Sequence, residues 1–241
     1  MDTFEVSGTV LVVDSKLGER RRRPPLFVQS VRTTFSASDA RFVEAAWDAP
    51  FDAEAALRAI PSAATISGMF IAPLALEAKR IGVPLPSARE RYLPYRFYPL
   101  LEHARVLLET CERVYPNLPA RQALRKLGRG APKALVTSTL GKIVLAGAEG
   151  VVDVVDAMAK AYPLNARPSR VEVLERDADR VIVRLEDVHY FLDSHHIGAF
   201  EGALRYAGVS GRVRLAMRGR ASADFLLEWD STSSAAPSRP S

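Results

Sequence analysis

Cysteine is almost absent. The 241-residue chain has one, Cys111, which excludes an intrachain disulfide and any zinc site built from several thiolates. Histidine is scarce: His103, His189, His195 and His196 are the four present. No run is apolar and long enough to span a bilayer. The first residues carry Asp2 and Glu5 and lack the apolar stretch of a secretory signal. These absences lead to the expectation of a cytoplasmic protein with no membrane partner. Acidic residues fall short of basic ones, giving a net charge of +5, yet much of the excess is the run Arg20-Arg21-Arg22-Arg23. That run is short, ends at Pro24 and Pro25, and comes with no helix-turn-helix pattern. A solvated loop is expected there rather than a nucleic-acid surface.

What is present suits a globular chain: 48% of residues are hydrophobic and 25% charged. Residues 1–45 read as an N-terminal extension, with strand-like runs at 9–13 and 27–34 around the basic loop. Helical patterns come next. Asp52 caps a helix over 53–60, which Pro61 stops. Ser67-Gly68-Met69-Phe70 opens another that runs to Arg80, with Pro73 either in its first turn or kinking it. Residues 83–97 form a proline-rich connector carrying Tyr92, Tyr95 and Phe97. Pro99 starts a helix in which Leu100, Leu101, Ala104, Leu107, Leu108, Cys111 and Val114 recur at helical spacing. Asn117 is placed to cap the next helix, with Pro119 in its first turn and Gly128 after it. Residues 135–148 read as an apolar central helix, and 151–161 as an amphipathic one ended by Pro163.

The period then changes from 3.6 to 2. Val171, Val173 and Leu174, then Val181, Val183 and Leu185, predict a hairpin, and residues 212–218 and 222–229 predict two further strands. Between them, residues 187–211 predict a strand end, a turn and a short helix. Ser194 is the expected cap. Ile197, Phe200, Ala203, Leu204 and Tyr206 form its apolar stripe, with Glu201 and Arg205 outside. Gly198 and Gly202, four residues apart, are expected to mark a close helix contact together with Phe200, because glycine lowers helix stability by about 1 kcal/mol relative to alanine. Gly208 suits a left-handed C-cap. Residues 231–241 hold no apolar residue larger than Ala or Pro and are expected to be a disordered tail. The fold class is therefore α+β: a helix-rich N-terminal and central part packed on an antiparallel sheet formed mainly by the C-terminal third, as a single domain over 46–230.

Candidate chemistry is thin. His195 and His196 are adjacent and cannot both face one way on a regular helix. With His189 and Asp193 they have metal-binding residue types, but a solvated turn and cap is the expected role. His103 lies beside an apolar stripe and has the residue type that binds haem iron, but a surface or satisfied boundary histidine is the expected role. Cys111 lies on a stripe, as an inert core thiol. No nucleophile or acid/base set stands out, so no catalytic residue, metal or cofactor is assigned and the chain is not expected to be an enzyme. The aromatic group Tyr92, Tyr95, Phe97 and Tyr98, with Arg91 and Arg96 at its rim, is the candidate lining of a ligand cavity. Core packing of the connector is the competing role for the same rings.

The runs Ile66-Ser67-Gly68-Met69-Phe70, Arg91-Tyr92-Leu93-Pro94-Tyr95-Arg96-Phe97-Tyr98-Pro99-Leu100, Val114-Tyr115-Pro116, Ala123-Leu124-Arg125-Lys126-Leu127-Gly128, Phe191-Leu192-Asp193 and Gly198-Ala199-Phe200-Glu201-Gly202-Ala203, with Trp229, carry a family resemblance. Over roughly residues 52–230 the chain resembles an uncharacterised myxobacterial paralogous family, a domain of unknown function. More distantly, its order of elements resembles the superfamily of haem–nitric-oxide-binding domains, vinyl-4-reductase-like domains and TRAPP subunits. That resemblance implies helices on an antiparallel sheet, a homodimer and an apolar ligand. The chain departs from the ligand-binding branches: it has no Tyr-x-Ser-x-Arg signature for haem propionates and no C-terminal cysteines. The resulting expectation is a non-enzymatic binding or regulatory module holding a small apolar ligand between helices and sheet. A protein-interaction scaffold without ligand is the alternative, and an enzyme the third choice.

Overall fold

The C-terminal strands form a four-stranded antiparallel sheet in the order β4-β5-β7-β6, where β4 is Arg170–Arg176, β5 Arg180–Glu186, β6 Gly211–Gly219 and β7 Ser222–Trp229. The computed structural model describes residues 37–132 and 148–230. The runs at 1–36 and 231–241, and residues 133–147, which include all but the last residue of the helix expected over 135–148, lie outside the described residues. Of an N-terminal unit, Met1–Arg41, the described part is a short 3-10 turn, Ala37–Arg41. The second unit, from Phe42 on, carries both sheets and all the described α-helices.

The period-2 pattern sets the main sheet's layering. On the central strands β5 and β7, Val181, Val183, Leu185, Phe225 and Leu227 enter the main core. Ile182 and Leu226, opposite each other in register, turn to the other face and pack with Phe42. Both faces of the sheet centre are thus covered. Strand β4 is an edge, alternating exposed and half-buried residues. A second antiparallel sheet, β2-β1-β3, joins Thr65–Ser67 (β1), Phe97–Pro99 (β2) and Ala166–Arg167 (β3). Its strands are two or three residues long, too short for any periodicity to announce them.

Among the described residues the α-helices are α1 (Ala53–Arg58), α2 (Gly68–Arg80), α3 (Leu100–Val114), α4 (Ala120–Gly128), α5 (Val151–Asn165) and α6 (Ile197–Tyr206). The caps of α1 and α2 come from short polar side chains: Asp52 Oδ1 accepts from Ala55 N–H at 2.9 Å, and Ser67 Oγ from Met69 N–H at 3.3 Å. The α+β class is that expected, while the ends of α4 and α5 differ from expectation. Helix α4 begins after Pro119, with no side-chain cap, so Asn117 does not cap it; proline's fixed φ presets the entry. Helix α5 passes through Pro163 to Asn165. The lost N–H falls in the last turn, where the Asn165 side-chain amide donates to the Ala161 carbonyl at 2.8 Å.

Candidate functional site

The site begins with an irregular turn. After β5, Phe191 takes a left-handed backbone (φ 43°), and Leu192–His196 form a single π-helical turn that runs into α6. His196 N–H bonds back five residues to the Phe191 carbonyl, at 3.2 Å. Ser194 is therefore fully buried inside the turn and is not the cap expected for α6. In a regular helix, neighbours stand about 100° apart. The wider turn reduces that angle, and His195 and His196 line the same cavity. The expected solvated pair is instead buried, with 8% and 4% exposure, and so is His103 at 2%.

One face of this segment is closed against α4. A Cβ at Gly198 would land on the Arg125 carbonyl, one at Gly128 on the His195 carbonyl, and one at Gly202 at 2.5 Å from the Arg129 carbonyl. The absent side chains let the two backbones approach this closely. Around the contact, Arg121 pairs with Asp193, and Arg125 and Arg129 both grip Glu201, with Arg129 Nε 2.6 Å away. Arg125 also lies over the Trp47 ring at 3.9 Å. Burial raises the Glu201 carboxyl's pKa, but the hydrogen bonds from Arg125 and Arg129 outweigh it and hold the group below its usual range. Glu201 was expected on the outer face beside Arg205. It is buried because its partners belong to another helix. Tyr206, expected in the apolar stripe, is 47% exposed.

The other face opens on a cavity of about 320 Å³ among helices α2 to α5 and the π turn. Phe70, Leu74, Leu127 and Met158 supply apolar wall. Its polar groups converge on Tyr190, whose ring lies 5.4 Å from the His103 ring, 5.9 Å from His195 and 4.7 Å from His196. The Tyr162 hydroxyl is shared between His196 Nε2, at 2.9 Å, and the Tyr190 hydroxyl, at 3.2 Å. His196 Nδ1 lies 3.3 Å from the Phe191 carbonyl. His103 and His195 differ: each leaves a buried Nδ1 with no hydrogen-bond partner.

Burial, with His196 nearby, lowers the His103 pKa to about 3. Burial and the other two imidazoles lower that of His195 well below its usual value. Burial takes His196 to about 4, against the opposing pull of the Phe191 carbonyl and Asp193. All three rings are neutral near pH 7. Burial likewise raises Tyr190 to about 12 and Tyr162 well above its usual value. Cys111, deep in α3, is raised to about 12 by burial and by Glu112, so it carries no thiolate at neutral pH.

The aromatic group singled out in the sequence lies elsewhere, and none of Tyr92, Tyr95, Arg96, Phe97 and Tyr98 lines this cavity. Tyr92 and Tyr98 are buried edge to face, with ring centres 5.0 Å apart. The Tyr92 hydroxyl donates to Glu102 at 2.8 Å, and the Tyr98 hydroxyl accepts from Leu93 N–H at 2.9 Å. Arg96 sits over the Tyr98 ring and Arg167 over Phe97. Tyr95 is 71% exposed. Arg91 and Tyr92 line a second, more open hollow against α2. The described lining of the cavity comes from helices and loops and includes no strand residue. Sequence reasoning missed Tyr162 and Tyr190 altogether and took all three histidines of the cavity for surface, boundary or turn residues.

Solved structures share this fold. An Fe(II) unliganded H-NOX protein from K. algicida matches with a TM-score of 0.52 at 14% identity, over 68% of this chain and 97% of that one. A structure from a study of haem distortion in the H-NOX family matches with a TM-score of 0.55 at 14% identity, over 68% and 95%. The likeness agrees with the distant resemblance to haem–nitric-oxide-binding domains, and at this identity it concerns the fold alone. The described residues do not fit an iron porphyrin. A metal-binding imidazole has one nitrogen free and the other anchored by a hydrogen bond. His103 and His195 lack the anchor, and the one anchored ring, His196, has its second nitrogen engaged by Tyr162. Lys126 is the one cation among the described lining residues, and it sits 4.5 Å over the Tyr115 ring rather than free for a propionate. Nor, among the described residues, is any group of three or more His, Cys, Asp or Glu arranged to hold a metal ion. No described helix is long and apolar enough to cross a membrane. No curated protein matches the chain. A family profile described as a protein of unknown function, DUF2378, matches residues 62–230, and the chain belongs to that family.

Proposed function

We propose that the chain is a non-enzymatic binding module that holds a small, largely apolar ligand in the cavity between α2, α3, α4, α5 and the π turn. One observation carries this reading: an apolar-walled cavity of about 320 Å³, within the size range of small-molecule sites, on which a few polar groups converge. The irregular turn supports it, since π turns and left-handed non-glycine residues gather at functional sites. The chemistry of the lining favours binding over reaction. The three imidazoles are held neutral, the two phenols are held protonated, and the chain's single thiol is buried and held protonated. The apolar fluorophore N-phenyl-1-naphthylamine tests the reading. It should bind the protein one to one, and Leu74→Trp, which fills the cavity from α2, should abolish that binding with the fold intact. Absence of binding, or binding that the substitution leaves unchanged, would overturn the proposal. Sedimentation of the same protein would show whether it pairs with itself, as the family resemblance implies.

A further inference from the structure

Two buried imidazoles without partners need a physical reason. A buried donor or acceptor left unmade loses its hydration with nothing in return, and native folds hold few such groups. Two of the four buried unpartnered side-chain atoms among the described residues are on the histidines of this one cavity, His103 and His195. The other two, Arg121 Nε and Arg214 Nη2, belong to guanidinium groups paired with carboxylates: Arg121 reaches Asp193 through its Nη1, and Arg214 Nη2 itself lies 3.0 Å from a Glu228 carboxylate oxygen, an ion pair whose hydrogen-bond angle is poor. His196, in the same cluster, has both ring nitrogens within hydrogen-bond distance of partners. The cluster is thus satisfied at His196 and unsatisfied at His103 and His195, two residues that line the cavity.

We infer, resting on the reading above, that the ligand carries one uncharged hydrogen-bonding head, a hydroxyl or a carbonyl, seated against His103 and His195, with an apolar body along the walls of α2 and α5. The surroundings argue against a charged head. A carboxylate or phosphate needs a cation, and the only one in the described lining, Lys126, sits over the Tyr115 ring. To supply a cation, the imidazoles would have to take up a proton in a site whose burial and mutual proximity oppose it. An ammonium head needs a carboxylate. Glu77, in the lining, is held by Arg80 at 2.6 Å, and Asp193, beside the histidines in sequence, is held by Arg121. A neutral imidazole, by contrast, donates from one nitrogen and accepts at the other. The pair can meet a hydroxyl or a carbonyl with no change of charge.

Four probes of one length separate the possibilities: n-octane, 1-octanol, octanoate and octylammonium, titrated into the full chain at pH 7 by calorimetry. The expected result is that 1-octanol binds about 10-fold tighter than octane, the factor that roughly one net hydrogen bond supplies, and tighter than either ion. In the unaltered protein the imidazole ¹⁵N resonances of His103 and His195 should move with octanol and stay in place with octane. The paired substitutions His103→Phe and His195→Phe should bring octanol down to the affinity of octane while octane changes by less than about 3-fold. If octane and octanol bind alike, or if octanoate or octylammonium binds tightest, the neutral-head assignment is wrong and the cavity remains a ligand site of another kind. If none of the four binds, both this inference and the ligand-binding reading fall. The nitrogen resonances decide the matter should the double variant fail to fold.

Discussion

The segment from Leu192 to Tyr206 has two sides, and they treat buried polar groups in opposite ways. Toward α4, the carboxylates are paired: buried Glu201 is held by two arginines and half-buried Asp193 by a third, with Arg121 Nε left over beside them. The backbones touch through Gly128, Gly198 and Gly202. Toward the cavity, two imidazoles on or facing the same segment have a ring nitrogen with no partner. The charged groups of the first side are met by opposite charges, while two neutral rings of the second keep an unmet nitrogen. The α4 crossing holds a strained turn in place, and the turn presents His195 and His196 to the cavity.

Substitutions should separate the two sides, and the largest effect belongs to the glycine crossing. Gly198→Ala puts a methyl on a backbone carbonyl, which cannot rotate away, and should destabilise by about 3 kcal/mol. Gly202→Ala, whose nearest neighbours include the ring of Pro132 at 3.0 Å, should lose about 1–3 kcal/mol. Both should lower the urea midpoint without changing the slope. A raised midpoint for either, as for an exposed helical glycine, would remove the close contact from the account.

Next in size is Glu201→Gln, which leaves Arg125 and Arg129 facing a neutral amide. The arginines are about 30% exposed, so water recovers part of the loss. A fall of about 2 kcal/mol is expected, below the full effect of breaking a wholly buried pair. An unchanged midpoint would mean that the crossing rests on the glycines alone.

The cavity side should respond to acid. His103 and His196 have folded pKa values of about 3 and about 4, and His195 is also lowered. Below the ordinary histidine value of about 6.5, the unfolded chain binds protons that the folded one refuses, so stability must fall as pH falls. Each histidine contributes about 1.4 kcal/mol per pH unit in that window, down to its own folded value. Glu201, with its lowered pKa, adds to the loss only at lower pH, as its carboxylate is protonated. Denaturant midpoints between pH 7 and pH 5 check this, and His103→Phe should flatten the curve. A curve equally steep in that variant would place the titration elsewhere.

The smallest effect sharpens the contrast most. In the ligand-free protein, His103→Phe should stabilise at pH 7 by up to about 1 kcal/mol, because it removes an unmet polar group from an apolar setting. A polar deletion at Glu201 should therefore weaken the fold while one at His103 strengthens it. Destabilisation of the His103→Phe protein by more than about 1 kcal/mol would show that the imidazole already has a partner.

Much of the fold was legible in the sequence, and the site was not. Val181, Val183, Phe225 and Leu227 announce the sheet because a strand's period survives in one dimension. Asp52 and Ser67 announce two helix starts because a cap is a local event. The site depends on contacts that no local pattern contains. Glu201 looked solvent-facing because its own helix offered only Arg205, while its partners lie 72 and 76 residues away in sequence. His195 and His196 looked divergent because spacing was read with the period of an α-helix, and a π turn changes that period for five residues. Tyr162 and Tyr190 lie near the end of one helix and in a loop, joined only by the fold. Two signals were available: glycines four apart in a helix, which do fall at the α4 crossing, and adjacent histidines without an evident solvent-facing role.

Native mass spectrometry of the chain purified from its own host, set beside the Leu74→Trp variant prepared the same way, tests the central claim most directly. The account predicts an added mass of a few hundred daltons or less on the unaltered protein, released intact on denaturation, carrying no iron and uncharged at pH 7, and lost from the variant. A bare protein in both samples, or an adduct that the variant retains, would contradict it.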